Sequence, residues 1–271
     1  MPLIDAHVHL TGNFFPMNPC PNSGRYDMLL ELMDSVGVDK AVILPVVGPR
    51  SPDNNAECAR LARSYPDRLV TLTDVQLHEP DSAAQVGRAR NQFGAVGISY
   101  YPSGEVDWML EPESEKLWEA YKANDLVCNL QIQPPNYPIL LELARRYPEI
   151  RFASNHMGLP VQGGLKPDDA TYGGLFEAAS LPNLFVKISA FYAAAVDSWD
   201  FHCPQALAFF ASLLKGLGPE KLLWGSDWPP VGNHITYKQS LEIVRTLAPD
   251  MDDQSRALVL GETAMKVYKI S

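Results

Sequence analysis

The chain has 271 residues, 46% of them hydrophobic and 20% charged, which is ample material for a folded core. With 22 basic against 32 acidic residues the formal charge is −10, and no basic block is present, so nucleic acid is excluded as a partner. No apolar run approaches the ~18 residues of a membrane span, and the opening residues do not read as a secretory leader. Cys20, Cys58, Cys128 and Cys203 are scattered without a Cys-x-x-Cys pair, so free thiols in a cytoplasmic protein are expected.

Taken in chain order, β-rich runs at 3–10, 41–47, 69–76, 95–101, 126–133, 150–155, 184–190 and 222–226 alternate with amphipathic segments at 27–36, 54–64, 113–123, 137–146, 175–179, 204–217 and 237–247. Such alternation indicates parallel βαβ units, and eight of them predict an α/β fold: a single (β/α)8 TIM barrel domain spanning 1–271. A doubly wound open sheet would bring a glycine-rich nucleotide turn after the first strand, and none is present. Pro66, Pro148 and Pro182 each stand just before a predicted strand, where proline ends the preceding helix and presets an extended entry. Long connections at 11–25, 159–174 and 191–202 follow strands, on the face where a barrel builds its active site. Their Phe14, Phe15, Tyr172, Tyr192, Trp199 and Phe201 favour binding lids.

Side chains on one strand face recur at every second residue, so polar groups in phase on an apolar strand are informative. The first run offers Asp5, His7 and His9 in phase, with the two imidazoles roughly 6.5–7 Å apart at Cα. A lone His-x-His is as readily satisfied by local hydrogen bonds. His156 ends the sixth run and Asp227 the eighth, so four groups suited to metal or acid–base chemistry fall at C-terminal strand ends. Together they predict an active site at the mouth. Cys128 is out of phase with Asn129 and Gln131 and should face the helices, not act as a nucleophile. His78 reads as a loop residue, and His202 and His234 lie in mouth loops without an evident partner.

Three segments carry a resemblance: Ile4-Asp5-Ala6-His7-Val8-His9, Asn155-His156-Met157-Gly158 and Trp224-Gly225-Ser226-Asp227-Trp228-Pro229. In this order they resemble the amidohydrolase-related family (amidohydrolase family 2), TIM-barrel hydrolases, lactonases and decarboxylases of the amidohydrolase superfamily. Val186-Lys187-Ile188-Ser189 is similar to the seventh-strand Lys-x-Ser of sugar-lactonase members. Metal-dependent members supply a fifth-strand histidine, where this chain has Asn129, Gln131 and Gln133, and neutral amides are poorer zinc ligands. His7, His9 and Asp227 remain as metal ligands, which with water would still make an open site for one zinc or manganese ion. The arginine that lactonases for acidic substrates carry on the fourth strand is replaced by Gly97-Ile98-Ser99-Tyr100-Tyr101, leaving Lys187 as the stand-in cation. With Tyr101, Gln131, Gln133 and Trp228 it is expected to bind a neutral or lightly charged substrate.

The resemblance implies a hydrolase of a small cyclic ester (lactone) or amide. Asp227 would be the general base, His7 and His9 would polarise the carbonyl directly or through a cation, and His156 would orient water or substrate. No organic cofactor is implied. A metal-dependent non-oxidative decarboxylase on the same barrel, or a non-catalytic ligand-binding barrel, are the alternatives. A small molecule is the expected partner, and homo-oligomerisation is compatible with the sequence.

Overall fold

Each of the eight β-rich runs forms a parallel strand, in a computed structural model that describes residues 2–11, 24–102, 104–159, 170–248 and 251–271. The strands are β1 (Ile4–Val8), β2 (Lys40–Ile43), β3 (Leu69–Thr71), β4 (Thr73–Asp74), β5 (Gly97–Tyr100), β6 (Val127–Leu130), β7 (Phe152–Ser154), β8 (Leu184–Ile188) and β9 (Leu222–Trp224). They pair in the orders β1-β2-β3 and β4-β5-β6-β7-β8-β9. The two ladders are continuous. Leu72, between β3 and β4, donates its N–H to the Ile43 carbonyl at 2.8 Å, and Val96 N–H reaches the Thr71 carbonyl at 3.0 Å. At the remaining seam Val8 bridges Trp228 in parallel. Asp227 N–H donates to the His7 carbonyl at 2.9 Å, and His9 N–H to the Trp228 carbonyl at 2.7 Å. The sheet is therefore the ring of the expected (β/α)8 barrel.

Helices α1 (Tyr26–Val36), α2 (Asn54–Ser64), α3 (Ser82–Asn91), α4 (Glu115–Asn124) and α5 (Tyr137–Arg146) surround the first half. They are followed by α6 (Ala170–Gly173), α7 (Phe191–Ala194), α8 (Pro204–Leu217), α9 (Tyr237–Glu242), α10 (Asp253–Ala257) and α11 (Thr263–Tyr268). As the prolines predict, α2 and α5 stop two residues before Pro66 and Pro148. No helix among the described residues is long and apolar enough to cross a membrane. Two segments were not anticipated. The Ala- and Arg-rich α3 has a weak apolar stripe, burying only Val86 and Ala89. The stretch from α10 to α11 is interrupted by a π turn at Leu258–Glu262, which breaks helical periodicity.

The apolar residues divide into two layers. Ala41, Ile43, Ile98, Cys128, Phe152, Val186 and Trp224 face outward into the helices, against Leu29, Trp118, Leu140 and Phe209. The helix-facing position of Cys128 agrees with its phase. Ile4, Ala6, Val42, Leu72, Val127, Ala153, Phe185 and Leu223 fill the inside and are closed off by Ala264, Val267 and Tyr268 of α11. At roughly 25 cal/mol per Å² of apolar surface removed from water, this double layer is the main stabilising term. Above the inner layer stands Lys187, fully buried, its Nζ without a hydrogen-bond partner among the described residues and 5.6 Å from the Tyr268 ring centroid.

The expected phase of β1 is corrected by a bulge. Asp5 pairs with Ala41 and Val8 with Ile43, so three steps on β1 oppose two on β2. Asp5 consequently shares the outward side of Ala41, while His7 and His9 turn inward. Strand β6 is also shorter than predicted: it ends at Leu130, so Gln133 leaves the sheet and is exposed at the start of the turn Pro134–Asn136.

Two outcomes follow from this packing. A Cβ on Gly225 would lie 2.6 Å from His7 Cβ and 2.9 Å from His7 N. Gly225→Ala should therefore destabilise by about 1–3 kcal/mol and displace His7, read as a lower Tm together with a lower kcat. Burial drives the Lys187 amine well below the usual lysine range, only partly opposed by Asp5 and Asp227. The unfolded chain takes up that proton below pH ~10.4, so the folded state loses stability as pH falls from there toward the lysine's folded value. Lys187→Met should then raise stability by about 1–3 kcal/mol near neutrality, with the gap from the wild-type protein closing as pH approaches 10 in parallel melts.

Candidate active site

His7 and His9 rise from β1, Asp227 from the turn after β9, and His156 from the end of β7, so four side chains from three strand ends meet at one mouth. His7 Nε2 lies 3.2 Å from His9 Nε2. Asp227 Oδ1 completes a triangle, 3.2 Å from His9 Nε2 and 3.4 Å from His7 Nε2. His9 Nδ1 sits 2.8 Å from the Leu44 carbonyl, which can only accept, so the proton is on Nδ1 and Nε2 is presented to the triangle. His156 is held by Ser189 Oγ, 2.9 Å from its Nδ1, and its ring centroid is 4.6 Å from that of His7. His7, His156 and Asp227 each place a ligand atom within 4.8 Å of the others, a group able to hold a metal ion.

The backbone is bent to achieve this. Asp227 at φ +61°, His156 at +51° and Ala190 at +55° all occupy the left-handed region. Each such residue stores on the order of 1–3 kcal/mol of strain, which surrounding structure must offset. The hydrogen bonds from Asp227 N–H to His7 and from Val231 N–H to Asp227 are part of that support.

Electrostatics sort the groups by role. Burial lowers the His7 imidazole well below its ordinary value, reinforced by Lys187, His156 and His9. Burial also lowers His156, although Asp227 opposes it. Both rings are thus kept neutral, with lone pairs available to a ligand. For Asp227, burial acts upward, but His156, His9 and the Tyr192 hydroxyl outweigh it and hold the carboxyl below the usual range. Tyr192 donates to Oδ2, leaving Oδ1 turned to the histidines.

The donor set fits a divalent cation. Bonds of 2.0–2.1 Å to a tetrahedral centre imply ligand–ligand edges of about 3.3–3.4 Å, and the observed edges are 3.2, 3.2 and 3.4 Å. Two Nε2 atoms facing each other and a carboxylate at that spacing are what a shared cation would draw together.

A cavity of about 380 Å³ opens on this group, lined by His9, His156 and Asp227 together with Tyr101 and Gln131. Not every expected substrate-binding residue reaches it. Trp228 is buried in the helix-facing core and Lys187 lies inside the barrel, neither lining the cavity. Gln133 is absent from the lining as well. Asn129 is a structural bracket, donating to Asn155 Oδ1 at 3.0 Å and Ser99 Oγ at 3.4 Å. His234 stacks behind Tyr192 at 4.2 Å, His78 stacks on Trp108 at 4.5 Å, and His202 is exposed. Of the expected lids, 12–23 and 160–169 lie outside the described residues. Tyr192 and Ser189 were not anticipated as partners of Asp227 and His156; the Lys-x-Ser ending of β8, with a tyrosine three residues on, was the available signal.

The amidohydrolase family model matches residues 4–270. The chain is 30% identical over 207 residues to an L-fucono-1,5-lactonase of Burkholderia ambifaria, covering 72% of this chain and 69% of that one. It is 23% identical over 244 residues to a 4-sulfomuconolactone hydrolase of Hydrogenophaga intermedia, covering 84% and 75%. The crystal structure of a zinc-bound amidohydrolase from Burkholderia multivorans superposes with a TM-score of 0.83 at 20% identity over all of both chains, a likeness of fold. The match runs from β1 to the last helix and takes in every strand end that carries the site, so the chain belongs to the amidohydrolase family and is a hydrolase.

Proposed function

We propose that residues 1–271 form one catalytic barrel that opens a small lactone by adding water across its ring ester. The carrying observation is the triangle of His7, His9 and Asp227 at the floor of a cavity that also presents His156. The names of the fuconolactone- and sulfomuconolactone-cleaving relatives support an ester substrate of this class. His7, His9 and Asp227 would hold one divalent cation, zinc or manganese, with His156 beside them; when bound it would act as a Lewis acid on the carbonyl and on water.

The chain's own groups account for the proton movements. Asp227 accepts a proton at Oδ1 from the water that attacks the carbonyl carbon. The ring C–O bond breaks, and the same proton returns to the departing ring oxygen, giving a hydroxy acid. Because its pKa is held low, Asp227 is anionic throughout the neutral range and ready to accept. Tyr192 stops the carboxylate from rotating away. His156, fixed through Ser189, directs the water or the leaving oxygen. General acid–base assistance of this kind contributes typically 10²–10⁴-fold. Among the described residues the buried thiols Cys58, Cys128 and Cys203 form no disulfide, which accords with a reducing compartment such as the cytoplasm.

Asp227→Asn should lower kcat by about 10²–10⁴-fold with an unchanged circular dichroism spectrum, and near-normal turnover would refute the assignment. Elemental analysis of purified protein should find about one zinc or manganese per chain, as a single tetrahedral donor set requires. Chelation should abolish lactone hydrolysis and re-addition restore it. Carbon dioxide release from hydroxybenzoate-type acids, with no lactone opened, would establish the decarboxylase instead.

A further inference from the structure

Resting on the lactonase reading, the substrate can be narrowed from the walls of the cavity. Beside the polar groups, the cavity is lined by five aliphatic residues: Val46, Leu159, Ala190, Ala193 and Pro230. No lysine or arginine lines the cavity among the described residues. Outside the described residues the sequence holds one basic side chain, Lys166. Lys187, inside the barrel, is fully buried and does not reach the lining.

Each feature bears on the ligand. A carboxylate or sulfonate on the substrate would shed its hydration against aliphatic carbon, with no lysine or arginine among the described lining residues to replace it. Desolvating an anion without a partner is strongly unfavourable. Ring hydroxyls also need partners once buried, and each one left unmatched costs ~1–3 kcal/mol. Apart from the catalytic groups and Tyr192, which is engaged by Asp227, the described lining residues offer two such polar side chains, Gln131 and Tyr101. The Tyr101 hydroxyl is buried, with Ser99 beside it, and Tyr101 lines the cavity. A cavity of about 380 Å³ suits a compact single ring with a short substituent.

We infer that the substrate is an uncharged monocyclic lactone carrying a short apolar substituent against the aliphatic lining residues, with Tyr101 and Gln131 as the described partners for a hydroxyl. This differs in kind from both an anionic lactone and a polyhydroxylated sugar lactone.

The test compares kcat/KM of the metal-loaded enzyme for three probes: δ-hexalactone (neutral, alkyl-bearing), muconolactone (carboxylate-bearing) and L-fucono-1,5-lactone (polyhydroxylated). The alkyl lactone should exceed the carboxylated one by about 100-fold or more, and the sugar lactone by about 10-fold or more, as mismatched polar groups discriminate in buried sites. Ala193→Arg, at a half-buried position in the lining, should narrow the preference against muconolactone by at least ~10-fold without loss of the folded state. Tyr101→Phe should affect a hydroxylated lactone more than the alkyl lactone. Preference for muconolactone or the sugar lactone in the wild-type enzyme would overturn this inference while leaving lactone hydrolysis standing. If a muconolactone preference vanished in Lys166→Met, the charge would be supplied from the segment outside the described residues, and the inference would again fall. Hydrolysis of none of the three would overturn both readings.

Discussion

The site depends on a single junction, where the beginning of the chain meets the segment after its last strand. Asp5 is the clasp. Its Oδ1 accepts from Ser226 N–H at 2.8 Å and from His7 N–H at 3.1 Å, tying the bulge of β1 to the turn that carries Asp227. Burial pushes the Asp5 carboxyl up to about 6, although the hydrogen bonds from Ser226 and His7 pull it down. Two further backbone bonds, from Asp227 N–H to the His7 carbonyl and from His9 N–H to the Trp228 carbonyl, complete the seam. Asp227 and the two histidines of the first strand, more than two hundred residues apart, are thereby framed at 3.2–3.4 Å by backbone bonds and a buried carboxyl. A triangle set by the frame does not have to be rebuilt each time a ligand enters or leaves.

The same seam explains why two buried aspartates on neighbouring segments have opposite characters. Asp5 faces outward beneath Ser226 and Tyr237, with no histidine on its side of the sheet, so burial dominates. Asp227 faces three imidazoles and receives the Tyr192 hydroxyl, so its anion is stabilised despite equal burial. Separation of titration between paired acids is a recurrent way of assigning a structural and a chemical role. Here the bulge creates it by turning one carboxyl away from the mouth.

How much of this was legible in the sequence follows from what each signal measures. Alternation of apolar runs and amphipathic stretches records burial, and burial is what decides the strands, so all eight were located. His7, His9, His156 and Asp227 were legible because a polar residue ending an apolar run has few structural explanations. A bulge, by contrast, leaves no trace in composition: one extra residue reverses the phase, and Asp5 was assigned to the wrong face for that reason. Gln133 was misplaced because Ile132 prolongs the apolar pattern past Leu130, where the ladder stops. Lys187 was legible as an unusual residue on an apolar strand, whereas its place beside Tyr268 depends on α11, far away in the chain.

Lys187 shows how the barrel separates its chemistry from its support. An amine enclosed with Tyr268 on one side and the histidine layer above it is held neutral by burial, and in that state it adds no positive charge to the cavity. A protonated lysine at this depth would compete with a cation for the same negative group, Asp227, and would be unpartnered when the cation won. A neutral one does neither, and leaves imidazole lone pairs and one carboxylate as the donors at the mouth. Among the described lining residues Asp227 is then the lone ionised side chain that an entering substrate meets.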